Sequence, residues 1–111
     1  MKEVKVEFID KKTEASFEKL KTGKHEEKQL YEFIERAKKD LRNNPQGYTR
    51  IPNRLIPKEY IRKYGINNLW KYDLPNAWRL IYSISGDEIL IVSVILEWMS
   101  HKEYERRFGY G

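Results

Sequence analysis

Ile89 to Leu96 is apolar at every position except Ser93. A strand with one wet face alternates apolar and polar side chains, because successive residues point to opposite sides. This run does not alternate, so it predicts a strand covered on both faces and placed in the middle of a sheet. The rest of the chain must supply its neighbours. Leu69 to Leu74 and Ala77 to Ile84 read as two more strands, the second with Trp78, Leu80, Tyr82 and Ile84 on one face. Pro75-Asn76 is the turn between them, and Ser85-Gly86-Asp87 is a hairpin turn into the apolar run. Near the N-terminus, Val4, Val6 and Phe8 alternate with Lys5, Glu7 and Ile9, which predicts a further strand.

Helical periodicity fills the remainder. Residues 12–21 carry Ala15, Phe17 and Leu20 in a short, weakly amphipathic helix that Gly23 ends. Leu30, Phe33, Ile34, Ala37 and Leu41 then form one apolar stripe on a helix from about residue 25 to residue 42. Asn43-Asn44-Pro45-Gln46-Gly47 stops it. Pro52 and Pro57 interrupt residues 48–68, where Lys58 to Tyr64 predicts one short helix begun by Pro57. Ser100-His101-Lys102-Glu103 has the form of a capping box, so a C-terminal helix is expected from about residue 101. Helices and strands are segregated along the chain. The expected class is therefore α+β: a mostly antiparallel sheet, an N-terminal helical hairpin packed on it and a short C-terminal helix. At 111 residues the chain fits a single domain, 1–111.

Composition narrows the chemistry. There is no cysteine, so disulfides, iron–sulfur clusters and thiolate zinc sites are excluded. With two histidines, His25 and His101, a histidine-rich metal site is excluded too, and neither metal nor cofactor is expected. No apolar run approaches the roughly 20 residues that cross a bilayer. The Met1–Glu7 segment alternates charge and apolarity, unlike a signal peptide, which leads us to expect a cytoplasmic protein without a membrane partner.

The net charge of +5 is concentrated. Residues 1–41 hold 11 basic and 10 acidic side chains, residues 42–79 hold 8 and 2, and residues 80–111 hold 3 and 5. The middle third thus carries the whole excess. A clustered excess suits a polyanion such as a phosphate backbone, or else serves as a solvated basic surface.

Four segments, Leu69-Trp70-Lys71-Tyr72-Asp73-Leu74, Ala77-Trp78-Arg79-Leu80-Ile81-Tyr82-Ser83-Ile84, Ile89 to Leu96 and His101-Lys102-Glu103-Tyr104, together resemble the RelE/ParE toxin superfamily. The match over residues 69–104 rests on sequence, and that over 1–47 on architecture alone. Residues 48–68 are longer and more basic than in compact members. The resemblance implies a RelE-like fold and a toxin held by a cognate protein antitoxin. RelE-like members act as endoribonucleases (mRNA interferases) on mRNA at the ribosome and inhibit translation. ParE-like members inhibit DNA gyrase instead, so fold alone does not choose the target.

Metal-free RNA cleavage needs a base for the 2′-hydroxyl, an acid for the leaving 5′-oxygen and cations for the charge that grows at phosphorus. Arg79 lies inside an apolar strand, opposite Trp78, Leu80 and Tyr82, and matches the family's strand arginine. A guanidinium there can fork onto phosphate, or it can pair with Asp73 as a structural group. His101 heads the C-terminal helix, and an imidazole's ordinary pKa of about 6.5 suits proton transfer; the alternative is a surface histidine beside a cap. Tyr104, three residues on, could stack on a base, donate a proton or simply pack the helix. These three are the catalytic candidates. Tyr110 is a weaker one, and His25 reads as solvated.

Arg50, Arg54, Lys58, Arg62 and Lys63, interleaved with Tyr48, Tyr60 and Tyr64, are the candidate RNA-binding residues. The alternative is a charged loop. Glu59 and Glu97 are further candidates for a general base. Trp70, Trp78 and Trp98 read as core. The leading expectation is a ribosome-dependent endoribonuclease. The alternatives are a ParE-like gyrase inhibitor and a non-catalytic RNA-binding module.

Overall fold

The structure, a computed structural model, describes residues 3–86 and 90–109. Asp87, Ile89 and Tyr110, assigned above to a turn, a strand start and a C-terminal site, lie outside the described residues. The elements run β1 (Glu3–Phe8), α1 (Lys11–Leu20), α2 (His25–Asn43), β2 (Thr49–Arg50), α3 (Lys58–Tyr64), β3 (Trp70–Leu74), β4 (Trp78–Gly86), β5 (Leu90–Ser100) and α4 (His101–Phe108). The class is α+β. The strands form one mixed sheet in the order β1-β5-β4-β3-β2. β1 runs parallel to β5 and the other neighbours are antiparallel.

The apolar run is an interior strand, flanked by β1 and β4, and its backbone extends past Leu96 to Ser100. Where β5 faces β4, Ile81 opposes Glu97 while Tyr82 opposes Ile95, so Leu96 is an extra residue in a bulge. Leu96 packs among residues of the second core, and Glu97 bonds to Tyr60 and Arg107 on that same side.

One face of the sheet carries the helical hairpin. Asp10, in extended backbone, caps α1 by accepting the Thr13 N–H at 2.7 Å. Phe17 and Leu20 of α1 join Leu30, Ile34, Ala37 and Leu41 of α2 against Leu74, Leu80, Tyr82 and Ile95. Phe33 is only half buried, and Ala15, expected on the apolar face of α1, is exposed because that short helix touches the core through Phe17 and Leu20 alone. The end of α2 is pinned where Tyr82 donates to the Pro45 carbonyl at 2.6 Å.

The other face is covered by the segment between α2 and β3 and by α4. Ile51, Ile56 and Tyr60, from β2's exit to α3, pack with Ile81, Leu96, Met99, Tyr104 and Phe108. Lys58–Tyr64 is helical as expected, and Gly65 closes it at φ 64°, a left-handed backbone that a side chain would strain. Two cores therefore share one sheet, and α3 and α4 lie on the face opposite the hairpin. Among the described residues no helix is long and apolar enough to cross a membrane.

Candidate functional site

The β3–β4 turn sets the geometry. Asn76 and Ala77 both have positive φ, 60° and 61°, as a tight hairpin with the sheet's own twist requires. Ala77, expected to open the strand, therefore belongs to the turn, and β4 starts at Trp78. Trp78, Leu80 and Tyr82 then point to the hairpin core, which sends Arg79 and Ile81 to the opposite face.

Arg79 sits directly across from Asp73 on β3. Its Nε lies 3.1 Å from Asp73 Oδ1, and its Nη1 donates to the Trp78 carbonyl at 3.0 Å. Its Nη2 is 2.8 Å from His101 Nδ1. The start of α4 is tied to the same turn, because the His101 N–H donates to the Ala77 carbonyl at 2.7 Å. Ser100 caps α4 by accepting the Glu103 N–H at 3.2 Å. The reciprocal half of the expected capping box is not made, because the Glu103 carboxylate bonds Arg106 and Arg107 instead.

These contacts fix the imidazole. A guanidinium has only donors, so Nδ1 of His101 accepts. The ring hydrogen is then on Nε2, 2.8 Å from Glu105 Oε1. On the other flank, Lys71 Nζ lies 3.0 Å from Asp73 Oδ1. The result is a continuous polar row, Lys71–Asp73–Arg79–His101–Glu105. The Arg79 side chain is 14% exposed and lies between Asp73, 57% exposed, and His101, 46% exposed, so the guanidinium is the sheltered middle of a row that opens on both sides.

The structure brings Arg79 and His101 together and leaves Tyr104 out. Tyr104 is 3% exposed, with its ring 4.9 Å from Phe108 and beneath Lys71 Nζ at 5.3 Å. Of the roles open to it, packing the helix is the one its position matches: that side of α4 is turned into the second core. Lys71 and Glu105 were missed. Glu105 was open to inference, being one helical turn after His101. Lys71 shares the Arg79 face through the period-two alternation of β3.

Arg50, Arg54, Lys58, Arg62 and Lys63 are all exposed. Arg50 opposes Trp70 and lies over its ring at 5.6 Å, which puts it on the hairpin face, away from Arg79. Tyr60 is 5% exposed and is core, not a base platform. Tyr64 packs edge-on against it and Tyr48 leans on Tyr72. Glu97 is bonded by Tyr60 and, at 2.5 Å, by Arg107. Burial pushes its carboxyl above the ordinary value, with the Arg107 charge opposing. That trio ties α3, β5 and α4 together. His25 is exposed at the start of α2, and the three tryptophans are half buried against the hairpin core. No three His, Asp or Glu side chains among the described residues are grouped to hold a metal ion.

Comparison with protein-family models, curated proteins and solved structures finds no match to the chain.

Proposed function

We propose that this chain is a toxin of the RelE/ParE kind, with a RelE-like fold, that cleaves mRNA by metal-independent phosphoryl transfer, on the ribosome, and is held in check by a protein antitoxin. The observation that carries the reading is the 2.8 Å approach of Arg79 Nη2 to His101 Nδ1 within the polar row. An always-charged fork and an imidazole whose Nδ1 lone pair it holds stand side by side, and a phosphate that took over the fork would free that lone pair for its 2′-hydroxyl.

In this mechanism a phosphate oxygen takes over the Arg79 Nη2 donor. His101 Nδ1 is released and accepts the 2′-proton as the 2′-oxygen bonds to phosphorus. The P–O5′ bond breaks, and the 5′-oxygen takes a proton from water or from the imidazolium. The products are a 2′,3′-cyclic phosphate and a 5′-hydroxyl. Glu105, through Nε2, keeps the ring oriented, and Asp73 and the Trp78 carbonyl hold the guanidinium. Lys71 adds a second cation. Among the exposed cations, Arg54, Lys58, Arg62 and Lys63 would follow the RNA backbone further from the reacting phosphate.

One observation favours a second reading. Both terminal nitrogens of Arg79 and both ring nitrogens of His101 already have protein partners, and the buried Arg79 Nε, which makes no hydrogen bond, lies 3.1 Å from Asp73 Oδ1, as in a structural ion-pair row. A non-catalytic RNA-binding module would look the same at rest. The test is expression in cells without antitoxin, with mRNA ends and chromosome integrity mapped for wild type and two variants. New mRNA ends should appear with the wild type. Arg79→Ala should cut the cleavage rate about 10²- to 10³-fold with little change in RNA affinity. His101→Gln should cost roughly 10². RNA binding without new ends would establish the non-catalytic module, and broken chromosomes with intact mRNA would establish gyrase inhibition.

A further inference from the structure

We propose that β1 is a self-pairing edge, through which two copies of this chain join antiparallel into one continuous ten-stranded sheet. β1 is the last strand on its side of the sheet, next to β5 alone. The parity of its hydrogen bonds is set by the bond from Ile9 N–H to the Ile95 carbonyl, at 2.8 Å. Residues of odd number along β1 thus turn their amides towards β5, and Val4, Val6 and Phe8 turn theirs outward. No hydrogen bond to these outward groups occurs among the described residues. Such an edge is a template for another strand unless something guards it.

The side chains specify which strand. Glu3, Lys5 and Glu7 are exposed on one face, while Val4, Val6 and Phe8 are half buried on the other. Antiparallel pairing with a second copy, centred on Val6, sets Val6 opposite Val6 and Val4 opposite Phe8. All three outward residues are then used. The same register sets Lys5 opposite Glu7 twice, an attractive pair at each non-hydrogen-bonded position, where side chains are closest. A shift by one step of the hydrogen-bond repeat sets Lys5 against Lys5, or Glu7 against Glu7. The charges that would repel other registers therefore favour this one. A hollow of about 370 Å³ lies beside the edge, lined by Val6 and Phe8 but mostly by charged side chains such as Asp10, Lys11, Glu14 and Lys38.

The test is sedimentation velocity on the full chain over a concentration series. The wild type should show a reversible monomer–dimer equilibrium. Lys5→Glu alone and Glu7→Lys alone each turn both charge pairs repulsive, and each should weaken the dimer about ten- to a hundredfold. Mixed one to one, the two variants present opposite charges across the edge and should form a heterodimer at least as tight as the wild-type dimer. Both substitutions are at exposed positions, and circular dichroism checks that each variant is folded. Val6→Pro removes an N–H that only the partner strand uses, and should leave a folded monomer. A wild type that stays monomeric through its soluble range would overturn the proposal. So would a dimer indifferent to both charge variants, or single variants that fail to combine.

Discussion

At the scale of single residues, the site depends on what each polar side chain is bonded to rather than on its type. Arg79 is held at two points, by Asp73 and the Trp78 carbonyl, and this support leaves a third nitrogen aimed at His101. Glu97 is the contrasting case. Burial holds its carboxyl above the ordinary value while Arg107 pulls the other way. A group whose folded-state pKa is raised binds its proton more tightly in the folded chain. It therefore contributes stability that is present below the unfolded carboxylate range and lost as pH rises through the folded value. Glu97→Gln keeps the shape and removes the titration. Urea unfolding from pH 4 upward should show wild-type stability falling relative to Glu97→Gln over that window, and a constant difference would overturn the assignment. In the sequence Arg79 and His101 stood out through the family resemblance as much as through their places in a strand and at a helix start, and that they meet is a tertiary fact. Residue identity was not enough for Tyr104 or Tyr60. A tyrosine three residues after an exposed histidine can lie on either side of a helix boundary with the core, and only packing against Phe108 and Glu97 decides it.

At the scale of elements, the strands and the long helix were legible because their periods of 2 and 3.6 are global properties of a face. The short pieces were not. β2 is two residues long, and its pairing with β3 is a tertiary fact that Thr49 and Arg50 do not announce. β5 runs on to Ser100 because α4 folds back onto the sheet, so Glu97 to Met99 stay paired with β4. The β3–β4 turn shows a conflict that the sequence conceals. Asn76 tolerates a left-handed backbone, but Ala77, at φ 61°, bears the clash of its Cβ with its own carbonyl. The turn is nonetheless kept, and the Ala77 carbonyl receives the His101 N–H. Ala77→Gly removes the clash at the cost of a more flexible unfolded chain. Denaturant unfolding should show a net gain of about 0.5–1 kcal/mol. The backbone bond to His101 is retained, so the RNA cleavage proposed above should be unchanged. A destabilised Ala77→Gly would mean the methyl group packs usefully and that the turn is not strained.

At the scale of the whole molecule, one sheet separates two cores, and the proposed site sits on the side built from the shortest elements. The hairpin core draws on a 19-residue helix, whereas the second core draws on helices of 7 and 8 residues. Isolated helices that short are unstable in water, so α3 and α4 exist only through their packing. Phe108 and Ile34 are 1% and 0% exposed, one in each core. Truncating them should cost about 3–5 kcal/mol for Phe108→Ala and about 2–5 kcal/mol for Ile34→Ala. Trp70, Trp78 and Trp98, the chain's three tryptophans, all pack against the hairpin core, so their fluorescence reports that core alone. Far-UV circular dichroism reports every helix. β4 and β5 contribute to both cores, Leu80, Tyr82 and Ile95 on one side and Ile81, Leu96 and Met99 on the other. Loss of either core leaves the other with a bare sheet face. The two halves should therefore unfold together: Phe108→Ala should shift the fluorescence and dichroism midpoints by the same amount, although the residue touches no tryptophan cluster. A variant whose dichroism falls while its fluorescence midpoint stays with the wild type would show that the second core, and the Arg79–His101 pair it supports, melts as an independent unit.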